Sequence, residues 1–274
     1  MNAYYFIFCK TDVLLEKLPN GQYTIPLEET CPVTCKPWTH IMDITTLTDG
    51  TPVKALRIDS PIANNPKYEM CGLRASFYKL PHDLYLMAGK CQELLYWDYN
   101  TKYCGVCGAP MQMHTHISKR CTQCGKEVWP QLATAVIVLI KKGDEVLLVH
   151  AKNFKTDFYG LVAGFVETGE TLEEAVHREV LEETGLTIHH LKYFSSQPWP
   201  FPSGLMVGFT ADYESGELSL QATELSKGGW FTRENLPQIP EKLSIARKLI
   251  DHWLNESINE NNYFITYYHY EVDY

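Results

Sequence analysis

From Gly164 to Leu186 the chain reads G-F-V-E-T-G-E-T-L-E-E-A-V-H-R-E-V-L-E-E-T-G-L, a run that dictates a loop, one helix and its stop. Thr171 stands where an N-cap is needed, Glu174 three residues on completes a capping box, and Gly185 suits a left-handed C-terminal stop. The spacing predicts a helix from about Leu172 to Thr184. On it Glu179, Glu182 and Glu183 fall at i, i+3 and i+4, so three carboxylates share one stripe. A helix kept only for packing avoids such repulsion. Divalent cations turn it into a site: Mg2+ takes carboxylate oxygen while sharing substrate phosphate oxygens, and paired ions both activate a water and steady the departing oxygen. The alternative is a solvated acidic face, the usual fate of a charge run. Arg178 lies one residue round from the stripe. Glu170, before the helix, is either its partner or an outer ligand, and the structural pairing is the favoured reading.

The run fills every fixed place of G-x5-E-x7-R-E-U-x-E-E-x-G-U, with U a bulky apolar residue, a match expected by chance on the order of 10⁻⁷ in a chain of this length. It resembles the Nudix box. That resemblance implies an α+β fold, with a mixed β-sheet packed between helices, and hydrolysis of a diphosphate linked to a nucleoside. It also implies a ligand set for Mg2+ or Mn2+: Glu179, Glu183, the backbone carbonyl of Ala163, and Glu224 in Q-A-T-E-L as a distal glutamate. Glu179, Glu182 and Glu183 carry the catalysis, Glu182 either as a ligand or by positioning the water. The choice of general base stays open among them. Gly164, Glu170, Arg178 and Gly185 are structural parts of the box.

Upstream, Cys104-Gly-Val-Cys107 and Cys121-Thr-Gln-Cys124 have zinc-ribbon spacing, with Gly108 and Gly125 suited to the tight knuckles. Four thiolates close the coordination sphere, so one Zn2+ per chain is structural. Nine cysteines cannot all pair internally, and the clustering of four of them points to metal in a reducing compartment. Cys9, Cys31, Cys35, Cys71 and Cys91 read as small apolar residues, and His114 and His116 as solvated loop residues. The ribbon loop offers only Lys119 and Arg120 as a basic footprint for nucleic acid.

Ten residues past the box stands Ser196-Gln197-Pro198-Trp199-Pro200-Phe201-Pro202. Three alternating prolines stiffen it and fix where Trp199 and Phe201 project, which lowers the ordering cost of binding. By spelling alone it is also compatible with a partner-module ligand or a packing loop. Placed after this box, it is similar to the signature of the NADH pyrophosphatase subfamily, whose members also remove NAD caps from RNA. That resemblance implies substrate contacts at Gln197, Pro198, Trp199, Pro200, Phe201, Pro202, Ser203 and Gly204. The family usually has serine where this chain has Gly204, and often glutamate near His116. It further implies a nicotinamide clamp between Trp129 and Phe165, a backbone contact at Ala246, a basic contact at Arg74 and a homodimer. Set apart from the resemblance, Trp129 serves equally as interdomain packing.

The remaining chain sets boundaries. Segment 1–100 is expected as a β-rich N-terminal domain ending in a helix over about Pro81 to Asn100, 101–130 as the zinc ribbon, 131–256 as the Nudix domain, and 257–274 as a tail of unknown role. A hairpin of Ala133 to Ile140 with Glu145 to Val149 opens the catalytic domain, Leu205 to Tyr213 and Gly229 to Thr232 are further strands, and Glu241 to Leu254 is a closing helix. A formal charge of -9 argues against a broad basic face for nucleic acid. No apolar run is long enough to span a bilayer and Met1 to Lys10 lacks a secretory signal, so a cytoplasmic protein with no membrane partner is expected. The expected reaction is cleavage of NADH or NAD to nicotinamide mononucleotide and AMP, and removal of NAD caps from RNA. The rivals are a Nudix hydrolase of another diphosphate such as ADP-ribose, and a catalytically inactive zinc-ribbon RNA-binding regulator.

Overall fold

The computed structural model describes residues 1–154 and 156–259. The tail segment 260–274 lies outside the described residues. The described residues form two compact units: Met1–Ala133 with Pro198–Gly204, and Thr134–Gln197 with 205–259.

The first unit holds β1 (Ala3–Cys9), β2 (Asp12–Lys17), β3 (Tyr23–Thr24), β4 (Leu27–Glu28), β5 (Ile41–Thr46), β6 (Pro52–Arg57), β7 (Tyr68–Gly72), α1 (Leu73–Ser76) and α2 (His82–Asn100). Its seven-stranded sheet runs β3-β2-β1-β6-β5, with β4 on β1 and β7 on β2. β1 pairs parallel with β6 but antiparallel with β2, so the sheet is mixed. β1 is apolar on both faces because both are covered. Phe6 and Phe8 meet Leu84, Ala88, Cys91 and Leu95 of α2, while Tyr5 and Ile7 meet Val33, Ile58 and Ile62. Cys31 and Cys35 join that second layer with their sulfurs 3.5 Å apart, and burial pushes the Cys31 thiol up to about 11. In the same unit, β8 (Met111–Thr115), β9 (Ser118–Cys121) and β10 (Glu127–Val128) form a three-stranded sheet in the order β10-β9-β8.

The second unit contains β11 (Ala133–Lys142), β12 (Glu145–Ala151), β13 (Val162–Phe165), α3 (Leu172–Thr184), β14 (Thr187–Pro198), β15 (Gly204–Ser215), β16 (Leu225–Phe231) and α4 (Ile245–Asn259). Strand order is β14-β15-β11-β12-β16, with β13 also on β11. Alternation along β11 sorts its two faces. Val136, Val138 and Ile140 pack with Ala175, Val176 and Val180 of α3, and Ile137 and Leu139 with Leu249, Ile250 and Trp253 of α4. The sheet is therefore the filling between the two helices. β12 pairs with the Lys141–Lys142 end of β11, and β13 pairs with Ala135 through Val138, which places Ala163 and Gly164 opposite Ile137 and Val136.

One expectation changes, and one strand was not foreseen. The last helix starts at Ile245 and not at Glu241, because the Ser244 hydroxyl caps it by accepting the Arg247 N–H at 3.3 Å, and it runs past Leu254 to Asn259. β14 carries no strand signal in sequence because it is an edge strand exposed along most of its length, so no alternation is imposed on it. Among the described residues no helix is long and apolar enough to cross a membrane.

Candidate active site

The predicted caps hold α3. The Thr171 hydroxyl accepts the Glu174 N–H at 3.1 Å, the Glu174 carboxylate accepts the Thr171 N–H at 2.8 Å, and Gly185 closes the helix at φ +70. One turn inside, Arg178 binds a ring of acceptors. It donates to Glu170 at 2.5 and 2.9 Å, to Glu179 at 2.8 Å, to Glu182 at 3.2 Å and to the Phe165 carbonyl at 2.9 Å. The guanidinium, followed by the Glu167 N–H, holds the Glu170 carboxyl down at about 2. Arg178 thus ties the loop before the helix to β13.

Glu183 is left out of that ring. It is 4 % exposed, and among the described residues no basic side chain pairs with it. Burial, then the nearby carboxylates of Glu179, Glu224 and Glu182, push its carboxyl up to about 8. Glu179 is raised too, by burial against the opposing pull of Arg178. Glu179, Glu182 and Glu224 therefore lie near enough to Glu183 to act on its charge, although among the described residues no three of the four bring carboxylate oxygens within 4.8 Å of one another. Gly164 is required by the same crowding, since a Cβ built there would overlap the Glu179 carboxylate. An unpaired buried carboxylate beside three others is the donor set a hard dication fits. Ala163, Glu179, Glu182, Glu183 and Glu224 all lie within the second unit.

The four ribbon cysteines also converge. Their sulfurs lie within 4.8 Å of one another, with Cys104 and Cys124 3.6 Å apart and Cys107 and Cys121 3.4 Å apart. A tetrahedral ion with Zn–S bonds of about 2.3 Å separates its sulfurs by about 3.8 Å. The N–H groups of Val106, Gln123 and Cys124 point at the Cys104 and Cys121 sulfurs, and those of Cys124 and Gln123 bring the Cys121 thiol down to about 6. Gly108 and Gly125 both take φ +74 at the knuckles. The set fits zinc. The two basic residues of the loop are already spent: Lys119 is buried against Asp98 at 2.8 Å, and Arg120 pairs with Glu127 at 3.2 Å.

The proline-braced loop has a built support in the first unit. The Trp199 N–H donates to the Gly204 carbonyl at 2.8 Å, and the Gly204 N–H donates to Glu93 of α2 at 3.2 Å. The Trp199 and Phe201 rings stand edge to face at 5.1 Å, with the Arg74 guanidinium 4.9 Å from each. Arg74 therefore engages the aromatic pair of the loop. Gly204 is hemmed in: a Cβ would sit 3.1 Å from the Ala133 carbonyl and 3.3 Å from that of Trp199, so serine does not fit without a shift. The Ser203 hydroxyl donates to the Gln131 carbonyl at 3.1 Å. Pro198 and Pro202 bracket the loop, and Pro200 lies against α2, where a Cβ on Gly89 would come within 3.1 Å of it. A glycine inside a helix costs about 1 kcal/mol against alanine, so Gly89 was a readable sign of close packing, whereas nothing marked Glu93.

In the second unit the buried Gln197 amide donates to the Leu243 carbonyl at 2.7 Å, steadying the approach to α4, whose first turn contains the buried Ala246. Phe165, on β13, is 65 % exposed, and Trp129, in the first unit, is 52 % exposed. Both are large flat surfaces left open to solvent.

Two family models match the chain: a NUDIX domain over residues 129–253, and an NADH pyrophosphatase-like rudimentary NUDIX domain over residues 2–97. A protein of Pseudomonas aeruginosa named NAD-capped RNA hydrolase NudC is 41% identical over 206 residues, covering 75% of this chain and 74% of its own. One of the same name from Deinococcus radiodurans is 42% identical over 188 residues, covering 67% of each. Among solved structures, a NUDIX hydrolase from Nitrosomonas europaea superposes with a TM-score of 0.50 at 20% identity, covering 57% of this chain and 93% of its own, a likeness of fold.

Proposed function

The chain belongs to the Nudix hydrolases, in the branch of the NAD-capped RNA hydrolases, and on that premise we propose how its residues share the work. It is a hydrolase that cleaves the pyrophosphate of NAD(H) and removes NAD caps from RNA. Water adds to one phosphorus, the bridging P–O bond breaks, and the products are nicotinamide mononucleotide, oxidised or reduced, and AMP; with capped RNA the second product is a 5′-monophosphate end.

Glu179, Glu183, Glu224 and the Ala163 carbonyl hold Mg2+ or Mn2+, and Glu182 ligates or positions the water. A bound dication supplies Lewis-acid charge at the diphosphate. Arg178 and Glu170 hold β13 and α3 in register, so that Gly164 lets the Glu179 carboxylate approach the backbone. Trp129 and Phe165 stack on the nicotinamide ring. Gln197 through Gly204, Ala246 and Arg74 form the dinucleotide site, Arg74 through its contact with Trp199 and Phe201. One structural Zn2+ sits in the Cys104, Cys107, Cys121 and Cys124 ribbon. The division into 1–100, 101–130 and 131–256, a homodimer and a cytoplasmic location complete the reading; the last two rest on the resemblance and on composition.

The observation that carries it is the buried, unpaired Glu183 carboxylate, pushed up to about 8 among three others. The test compares NADH, NAD, ADP-ribose and NAD-capped RNA with Mg2+ and with Mn2+, and with Glu183→Gln as control. Turnover of NADH or capped RNA that depends on metal and collapses in the variant is expected. ADP-ribose turned over far faster than both would overturn the substrate assignment.

A further inference from the structure

The edge strand β14 carries a group that hydrolysis does not use. His189 and His190 are consecutive, and regular alternation sends consecutive strand side chains to opposite faces. His190 breaks the alternation with φ +51, a left-handed conformation that a residue with a Cβ adopts at a cost. The two imidazoles consequently stand together, their centroids 4.2 Å apart and tilted by 58°. His190 Nδ1 lies 3.1 Å from Asp212 Oδ2 on the neighbouring strand β15. One ligand atom from each of His189, His190 and Asp212 lies within 4.8 Å of the other two. All three border a cavity of about 520 Å³ whose wall also includes Lys141, Asp144 and Tyr213.

We infer that His189, His190 and Asp212 form a third cation site in this chain, and its second for a borderline dication such as Zn2+. The donor chemistry separates it from the other two sites. Four thiolates select a soft or borderline ion and four carboxylates a hard one, whereas two imidazoles with one carboxylate suit zinc, copper, nickel or cobalt. The spacing fits as well: ligand bonds of about 2.0–2.1 Å in a tetrahedron put donor atoms about 3.3 Å apart, near the His190–Asp212 separation. Three protein ligands leave a coordination place for solvent. The site is open to exchange, since the His190 and Asp212 side chains are exposed. It stands on its own whether or not the proposed reaction is right.

Zinc counting tests it. The full chain is loaded with Zn2+ in excess Mg2+, which occupies oxygen sites, then dialysed and its metal measured by mass spectrometry. About two zinc ions per chain are expected in the wild type and about one in His190→Asn or Asp212→Asn. Asparagine is chosen at His190 because it tolerates the left-handed backbone. Retention of the first zinc and of the wild-type far-ultraviolet circular dichroism shows that the variants fold. As a second readout, Co2+ added in excess Mg2+ to protein holding a single zinc per chain should give absorption typical of nitrogen and oxygen ligands without sulfur charge-transfer bands, and neither variant should give it. One zinc in the wild type overturns the inference. So does a second zinc that both variants keep, which would make the histidine–aspartate contact an ion pair only.

Discussion

Two helices of this protein each draw an acid out of full contact with water, Asp98 half-buried and Glu183 buried, and they treat it in opposite ways. On α2, just past the residues 2–97 that match a rudimentary NUDIX domain, Asp98 meets Lys119 at 2.8 Å and His40 at 3.4 Å. Lys119 also donates to the Asp98 and Thr101 carbonyls and lies over the Trp97 ring. Burial raises the Asp98 carboxyl, but His40 and Lys119 outweigh it and hold it at about 2. On α3 the buried Glu183 has other carboxylates for neighbours and is pushed up to about 8. A buried charge balanced by the protein itself is architecture. One left unbalanced is a place for a charge from outside, and it is kept at a cost to the fold.

The largest expected effect probes the unbalanced side. Glu183→Gln should lower kcat/KM for NADH by about 10² to 10³-fold while stabilising the metal-free protein at pH 8 by about 2–4 kcal/mol, read from urea unfolding. A variant that keeps a tenth of the activity, or loses stability, breaks the contrast. Gly164→Ala, which displaces the Glu179 carboxylate, should cost about 10²-fold in kcat with the helix intact by circular dichroism. Equal rates for this variant and wild type would mean that the carboxylate position is not held by that approach. On the balanced side, Lys119→Met should leave kcat near wild type yet destabilise the protein by about 1–3 kcal/mol, because it leaves His40 as the only cation beside Asp98 among the described residues. Trp129→Ala and Phe165→Ala should each raise KM for NADH by about 2- to 10-fold with little change in kcat, the size of one stacking contact.

The pH dependences have opposite signs. The Asp98 carboxyl titrates below its unfolded value of 3.8, so its stabilisation is present above about pH 4 and disappears as pH falls towards 2. Asp98→Asn should flatten that acid limb. The Glu183 carboxyl titrates above its unfolded value of 4.5, so in metal-free protein its contribution is complete below about pH 4.5 and is lost as pH rises through 8. Thermal unfolding with chelator across this range should show the alkaline loss in wild type and not in Glu183→Gln.

Much of the catalytic arrangement was legible because it is local. The caps Thr171, Glu174 and Gly185, and the acidic stripe of α3, follow from spacings within one helix, and the knuckle glycines from the spacing of the cysteines. What stayed hidden depends on contacts between distant segments. Nothing in the sequence says that Glu93 binds the Gly204 N–H, that Lys119 is buried against Asp98, or that Arg74 faces the rings of Trp199 and Phe201. Nothing in the sequence joins His189 to His190, since alternation assigns neighbours on a strand to opposite faces, and only the left-handed backbone at His190 brings them together. Glu224 was reachable only by resemblance, since an acid some forty residues from the helix has no periodicity to announce it.

The contrast between the two acids is tested most directly by Mn2+ binding, followed by electron paramagnetic resonance at neutral pH on wild type, Glu183→Gln and Asp98→Asn. The expected result is at least about a tenfold loss of affinity in Glu183→Gln, a difference of about 1.4 kcal/mol, with Asp98→Asn indistinguishable from wild type. Equal affinity in all three proteins would contradict the claim that the unbalanced carboxylates of α3 are where the reaction's cation is held.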